Sequence, residues 1–432
     1  MMFCILNNKA VRMRDVLVAS FLSLMLTPAA FGEEGRLSLQ EALQLAYKQS
    51  PRVVEARQEV EAAKGRWIQQ RTLPNPEVEI ETTELSKGVH GGSTVGEDSI
   101  ALSQEVDVLG KFWLRGRAAK AEYQAAQYTL QRVWTEVAFE VTQAYNNLLL
   151  STQRVGVTRE PLELTRRFLD QVQLRYNAGE VLRNELLRAQ IEVAKAENTV
   201  LQADKQVTLD RAALNVRLAL DAQTPVAPTE ELTYESRDLD PEQLLTQALA
   251  RRPDLKARES ELQAQRKQLQ LAIHSILDNP TVSAIGTRER GEAGTNRVFG
   301  LAIRLPIPFW NQNRGAIKEA RAELVKRQVA QEALRREVGR EVVSAIAEAR
   351  LAQRQVTVWK IGVEQANELM RLATQQYRDG DINFILYLEH LATIRETKVA
   401  YVEALANYRT QLALVDQAVA NTFMPDSKEV VR

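Results

Sequence analysis

Five landmarks recur in one order about 200 residues apart, and this duplication constrains the fold more than any other feature of the chain. Ser38-Leu39-Gln40-Glu41 is answered by Asp240-Pro241-Glu242-Gln243, each an N-cap residue with Glu or Gln three positions on. Pro51 matches Pro253, Asn75-Pro76 matches Asn279-Pro280, and Arg115-Gly116 matches Arg314-Gly315. Finally, the RYNAGE run at 175–180 matches QYRDGD at 376–381, so Tyr176 and Gly179 pair with Tyr377 and Gly380. Length alone, 432 residues, would point to two or three globular domains. The repeat predicts instead one elongated body made of two halves.

Each half reads as leading helix, hairpin, very long helix, tip and return helix. Arg115 to Asn177 is rich in Ala, Gln, Glu, Arg and Leu, with apolar residues three and four apart (Val133, Val137, Val141, Ala144, Leu148), the period of a helix. Its counterpart runs from Gly315 to Arg378, and each spans ~95 Å at ~1.5 Å per residue. Pro161 is expected to kink or locally unwind the first of them. The tips hold Gly179 and Gly380 where a helix turns at its C′ position. Return helices of ~60 Å (Val181 to Leu220, Ile382 to Thr422) and a leading helix of ~33 Å (Pro51 to Thr72) together equal the long one in height. The path closes as a rod, with one helix running the full height and two shorter ones stacked beside it.

Between the leading and long helices lie short stretches of period two, read as strands at 78–85 and 99–108, then 281–287 and 298–305. Ile100, Leu102 and Val106 fall on one face against Ser103 and Glu105. Phe299, Leu301, Ile303 and Leu305 likewise oppose Gly300, Ala302 and Arg304. Lengths of seven to ten residues come close to those of tilted membrane strands, which need ~9–11. A pair of soluble hairpins is the alternative. The membrane reading gains from Phe112-Trp113 and Phe309-Trp310 at the strand-to-helix exits, where barrels carry aromatic girdles. Four strands cannot close a barrel, nor can membrane strands leave open edges, so membrane strands here require an oligomer.

Lys9, Arg12 and Arg14 precede an apolar run from Val16 to Leu26, and Ala30-Phe31-Gly32 resembles a small-residue cleavage site. Residues 1–32 therefore read as an export signal, with Met1 or Met13 as initiator. The run is too short for a membrane span of ~20 residues. The divisions that follow are a first repeat at 33–220, a linker at 221–240 containing Pro225 and Pro228, a second repeat at 241–424 and a tail at 425–432. Cys4, the only cysteine, falls in the signal and leaves the exported chain without disulfides or thiolate metal sites. Lys plus Arg and Asp plus Glu both number 56, a balance that argues against nucleic acid as a partner. His90, His274 and His390 are scattered, Met370 and Met424 stand apart, and no phosphate-cradling loop occurs, so neither enzyme, cofactor nor metal site is expected.

The duplicated helix, hairpin, long helix and Tyr-x-x-Gly tip resembles the TolC family of outer-membrane efflux channels over essentially the whole exported chain. LPNPEVEIE (73–81), SQEVDVLGKFWLRGRAAKAE (103–122) and LPIPFWNQNRGAIKEARAE (305–323) resemble the branch of that family serving cobalt–zinc–cadmium efflux, the CzcC-like branch. The resemblance implies a mixed, mainly α fold, with long helices forming an α-barrel. It also implies a homotrimer whose four strands per chain make a twelve-stranded barrel in outer-membrane lipid. The implied partners are a periplasmic adaptor docking at the tips and an inner-membrane resistance-nodulation-division transporter. Heavy-metal cations are the implied cargo, with drugs or a type I secreted protein as alternatives. A secreted coiled-coil scaffold without a pore is the alternative of another class.

In that family a carboxylate six positions after the first tip glycine bonds the tyrosine three before the second, which here gives Glu185 and Tyr377 as a gate pair. Of the carboxylates six and nine positions after the second tip glycine, only Glu389 is present, Leu386 occupying the other position. The arginine that some members carry two residues after that glycine is Ile382 here. Glu389 remains the candidate for a cation-favouring ring at the entrance.

Overall fold

The computed structural model describes residues 35–84, 96–291 and 294–422. The export segment, the loop around Gly91-Gly92, His90 and the tail lie outside the described residues. The first repeat comprises β1 (Arg36–Leu37), α1 (Leu39–Gln49), α2 (Pro51–Gln70), β2 (Glu77–Glu84), β3 (Gly96–Glu105), α3 (Lys111–Asn177) and α4 (Arg183–Arg217). A linker carrying β4 (Ala227–Pro228) leads to the second repeat: α5 (Pro241–Arg251), α6 (Pro253–His274), β5 (Thr281–Gly291), β6 (Gly294–Arg304), α7 (Arg314–Asp379) and α8 (Phe384–Val419).

Local chemistry sets the helix boundaries. Ser38 Oγ accepts from the Glu41 amide at 3.3 Å while the Glu41 carboxylate accepts from the Ser38 amide at 2.8 Å, a complete capping box. Those bonds hold the Glu41 carboxyl below the usual carboxylate range. Asp240 caps α5 through the Glu242 amide, and Pro51 and Pro253 open α2 and α6 where a missing N–H costs nothing. Asp107 accepts from the amides of Lys111 and Phe112, both at 2.8 Å, so α3 starts a turn earlier than the Arg115 expected from the repeat. Gly116 is where α3 passes the end of α2, since a Cβ there would lie 3.1 Å from the Arg71 Cβ. Its partner Gly315 has open space around it, and nothing in the structure explains that glycine.

The helices form one layer. Towards the tips the order is α4, α3, α8, α7, and towards the sheet it is α2, α3, α6, α7. The main core sits at mid-height around Trp134, Tyr145, Leu148, Leu214 and Tyr408, all essentially inaccessible to solvent. β1 and the linker both strap this core: the Tyr145 hydroxyl donates to the Leu37 carbonyl of β1 at 3.0 Å, and that of Tyr408 to the Glu235 carbonyl of the linker at 3.1 Å. Parallel pairing of β1 with β4, Arg36 opposite Ala227, ties the start of the described chain to the same linker. A second core around Val338, Val342, Ile346 and Val419 joins α5, α7 and α8.

Pro161 does not interrupt α3, which is helical from Lys111 to Asn177. The Thr165 hydroxyl donates to the Pro161 carbonyl at 2.8 Å, and packing against α8 holds the segment in place of the lost amide bond. The strands also depart from the expected limits. β5 and β6 run to Gly291 and start at Gly294, a longer hairpin than 281–287 with 298–305, because polar residues continue the ladder beyond the apolar stretch. β3 ends at Glu105 rather than 108, where Asp107 turns the chain into the cap of α3.

Candidate functional site

The four long strands form one antiparallel sheet in the order β2-β3-β5-β6, the two repeats meeting where Gly96–Glu105 pairs with Arg290–Thr281. Residues opposite one another in such a ladder share a face. Val78, Leu102, Ala284 and Leu301 are one row, and Ile80, Ile100, Gly286 and Phe299 the next. This face is apolar yet exposed, Leu301 to 76% and Ile80 to 72%. The same alternation continues past the strand ends in Val106, Val108, Leu305, Ile307 and Phe309, all exposed. β3, at ten residues, has the length of ~9–11 that a tilted membrane strand needs. At the loop end the face turns charged with Asp98, Arg288 and Arg297, and Asp98 pairs with Arg290. The opposite face is polar, with Glu77, Glu79 and Glu81 on β2 and Ser103 Oγ 2.8 Å from Ser283 Oγ.

Three of the four junction aromatics face outward. Trp310 is 96% exposed, Phe309 and Trp113 are exposed, and the Arg117 guanidinium lies 3.6 Å from the centroid of Trp113. Phe112 departs from the expectation. The Asp107 cap fixes the first turn of α3 so that Phe112 is buried within the protomer rather than presented to lipid.

At the opposite end both tips close with the same hydrogen bonds. Gly179 and Gly380 have φ of 76° and 83°, and the amides of Glu180 and Asp381 donate to the carbonyls of Arg175 and Gln376, both at 2.9 Å. This is the left-handed turn expected at a helix C′ position. Glu185 lies near Tyr377, but among the described residues their side chains make no hydrogen bond to each other. The Tyr377 ring packs instead on Phe168 and Tyr387, at centroid distances of 5.4 and 5.1 Å. Burial raises the Tyr377 phenol above its usual pKa; Tyr387 and Glu185 push the same way and Arg175 opposes. Tyr176 packs against the same apolar cluster, and Glu389 is exposed on α8.

Two exposed apolar stripes were missed in the sequence. On α7 the buried face carries Val338, Val342, Ala349 and Val356, while Val325, Val329, Val343, Leu351 and Val358 lie on the other side and are each more than half exposed. On α4, Leu187, Ile191, Leu201, Leu209 and Val216 form a similar stripe away from the buried Leu186, Val200 and Leu214. α7 is one edge of the layer along its whole height and α4 is the other edge towards the tips, so each stripe faces out of the protomer. A second apolar register within each helix was the available signal.

Among the described residues no group of three or more His, Cys, Asp or Glu is arranged to hold a metal ion. His274 Nδ1 is 2.9 Å from the Leu109 carbonyl oxygen. No helix among the described residues is long and apolar enough to cross a membrane.

The geometry is that of a membrane sheet mounted on a helical duct wall, and comparison with known proteins agrees. The family model described as outer membrane efflux protein matches residues 42–219 and 244–421. The chain belongs to this family, the TolC-type efflux channels. It is an outer-membrane channel with a long helical periplasmic extension, the exit component of a tripartite efflux system, and a passive duct rather than an enzyme. Membership sets aside the scaffold reading.

The cobalt-zinc-cadmium resistance protein CzcC of Cupriavidus metallidurans is 23% identical over 386 residues, covering 89% of this chain and 90% of that protein. The pyoverdine export outer membrane protein OpmQ of Pseudomonas aeruginosa is 24% identical over 351 residues, covering 77% and 71%. The crystal structure of the Campylobacter jejuni CmeC outer membrane channel superposes with a TM-score of 0.74 at 17% identity, covering 93% of each chain. Relatives named for cobalt-zinc-cadmium resistance and for pyoverdine export thus stand at 23% and 24% identity, and similarity does not favour heavy-metal cargo.

Proposed function

We propose that three copies of this chain close into a ring, forming a twelve-stranded barrel above a helical duct, and that this duct exports small organic molecules of the drug or siderophore kind delivered by its pump. The observation that carries the assembly is the pair of unpartnered apolar stripes on α4 and α7, at opposite edges of the layer. Two different surfaces facing away from each other make a head-to-tail contact, which generates a ring where the rotation from copy to copy closes. The sheet repeats the arrangement: β2 and β6 are its open edges, and β6 of one copy pairs with β2 of the next. The apolar face then meets lipid, the polar face with Glu77, Glu79 and Glu81 lines the lumen, and Trp113, Phe309 and Trp310 sit at the interface.

The gate reading assigns Glu185, Tyr377 and Glu389 to the tip entrance, and Tyr176, Gly179 and Gly380 to the turns on which a periplasmic adaptor docks. An inner-membrane resistance-nodulation-division transporter supplies the energy, since this chain carries no nucleotide motif. Heavy-metal export by the CzcC-like branch is the second reading, supported by a relative matched over most of both chains. A deletion strain tested against a drug panel, iron starvation, zinc, cobalt and cadmium separates them. Sensitivity confined to the three metals would replace the organic cargo with cations.

A further inference from the structure

The tip holds an apolar cluster of its own, remote from the mid-height core, and its centre is aromatic. Phe168 of α3 and Phe384, the first residue of α8, stack with centroids 3.4 Å apart and planes 8° from parallel. Tyr377 of α7 meets the edge of Phe168 at 5.4 Å, and Tyr387 of α8 lies 5.1 Å from Tyr377. Val172 of α3 and Leu186 and Ala189 of α4 complete the cluster. Phe168, Leu186 and Tyr387 are buried, although the surrounding tip surface is polar and exposed.

The connectivity matters more than the size. Phe168 belongs to the α3–α4 hairpin, whereas Phe384, Tyr377 and Tyr387 belong to the α7–α8 hairpin. The aromatic stack therefore ties one hairpin to the other at the end where the duct must open. Charged ties between the hairpins are sparse there: Arg175 pairs with Glu180 and Arg371 with Glu368, each within one hairpin. The Glu160–Lys398 pair, at 3.0 Å, joins the hairpins further up. Positions 382 and 386, near the cluster in sequence, are Ile and Leu.

We propose that the stack of Phe168 on Phe384, flanked by Tyr377 and Tyr387, is the clasp that restrains the tip of this channel, so that the entrance is held by aromatic contact rather than by hydrogen bonds or ion pairs. This rests on the duct reading above. The hydroxyl of Tyr377 is dispensable to the clasp, its ring is not, and Glu185 contributes little. Apolar contact also makes the restraint insensitive to ionic strength, unlike one built from exposed charges.

The test is single-channel recording in planar bilayers on the full-length oligomer. Phe384→Ala and Phe168→Ala should each raise the open population roughly 2- to 10-fold, the effect of losing one aromatic pair. The ratio to native should be the same in about 0.1 M and about 1 M potassium chloride. Tyr377→Phe with Glu185→Gln keeps every ring of the clasp and should open the channel less than Phe384→Ala does. Phe384→Leu, which keeps apolar bulk, controls for misfolding and should fall between native and Phe384→Ala. Cys4 is the chain's only cysteine, so Phe168→Cys with Phe384→Cys offers an independent readout: conductance should be low when oxidised and rise on reduction. Native conductance in both alanine variants would overturn the clasp, as would an opening by Tyr377→Phe with Glu185→Gln equal to that of Phe384→Ala. A folded oligomer that conducts in no variant, native included, would instead overturn the duct reading, and the clasp with it.

Discussion

Two alanines sit where glycine would be expected. Ala219 and Ala420, at equivalent ends of the return helices α4 and α8, have φ of 57° and 55°. The amides of Leu220 and Asn421 then reach back to Asn215 and Asp416, both at 2.8 Å, closing the same turn that Gly179 and Gly380 close at the tips. A Cβ in this conformation costs about 1–2 kcal/mol. Ala219→Gly and Ala420→Gly should each stabilise the protein by about 0.5–1 kcal/mol, glycine's greater freedom in the unfolded chain offsetting part of the relief. Thermal unfolding of the single and double variants measures this. Tyr377 yields a prediction of pH dependence. Its folded pKa is raised by burial, so its contribution to tip stability is fully present below the unfolded value of about 10 and is lost as pH rises through the higher folded value. Hydrogen exchange at the ends of α7 and α8 should be steady to about pH 9, apart from the intrinsic base catalysis of exchange, and lose protection above about pH 10. Tyr377→Phe should remove that alkaline loss. Glu389 is exposed on α8; if three copies ring the entrance, Glu389→Gln should lower the preference for potassium over chloride in reversal-potential measurements. The change should be largest at about 0.01 M salt, where the Debye length is ~30 Å. An unchanged potential there would place Glu389 off the permeation path.

Among the helices, one junction is held by a largely buried ion pair. Arg252 caps the α5-to-α6 turn, with its guanidinium 2.6 Å from Asp254 and also bonded to Glu341 of α7. Arg252 and Asp254 are largely buried, 13% and 14% exposed in their side chains. Removing one partner of such a pair strands the other, so Arg252→Ala should cost about 2–4 kcal/mol in urea unfolding. Arg340→Ala, which breaks the fully exposed pair with Glu337 one turn away, should change stability little. What could be read from the sequence divides along the same line between local and distant causes. The long helices, period-two strands and tip glycines were legible because each is written in neighbouring residues. The local unwinding expected at Pro161 does not occur, because packing of α3 against α8 overrides a local preference for a break. β1 and β4 were not seen, since two residues have no period and their pairing spans the whole first repeat. Phe168 and Phe384 are ordinary helix residues until folding stacks them. Glu185, Tyr377 and Glu389 were nameable only through resemblance, as no spacing within this chain singles them out.

The assembled molecule follows from what one protomer leaves uncovered. An apolar sheet face, two unpaired strand edges and two apolar helix stripes remain exposed in a protein whose internal cores are complete. Each unpaired backbone group in lipid costs several kcal/mol, so the strand edges alone rule out a stable membrane-inserted monomer. Light scattering of the purified protein in detergent should therefore give three times the chain mass, and a folded monomer would end the barrel reading. The stripes add a sharper expectation. Leu201 on α4 is 67% exposed and Val343 on α7 is 59% exposed within the protomer, so neither contributes much to the internal packing of one chain. A charge at either position leaves the protomer core intact, but in a head-to-tail ring it is buried without a partner three times over, once per contact. Leu201→Glu and Val343→Glu should thus shift the oligomer to monomer in mild detergent while far-ultraviolet circular dichroism keeps the native helix content. Leu201→Met, apolar and of similar volume, should remain trimeric. Trimers that persist in both glutamate variants would mean that the copies meet through the sheet edges alone, and that the stripes on α4 and α7 face elsewhere.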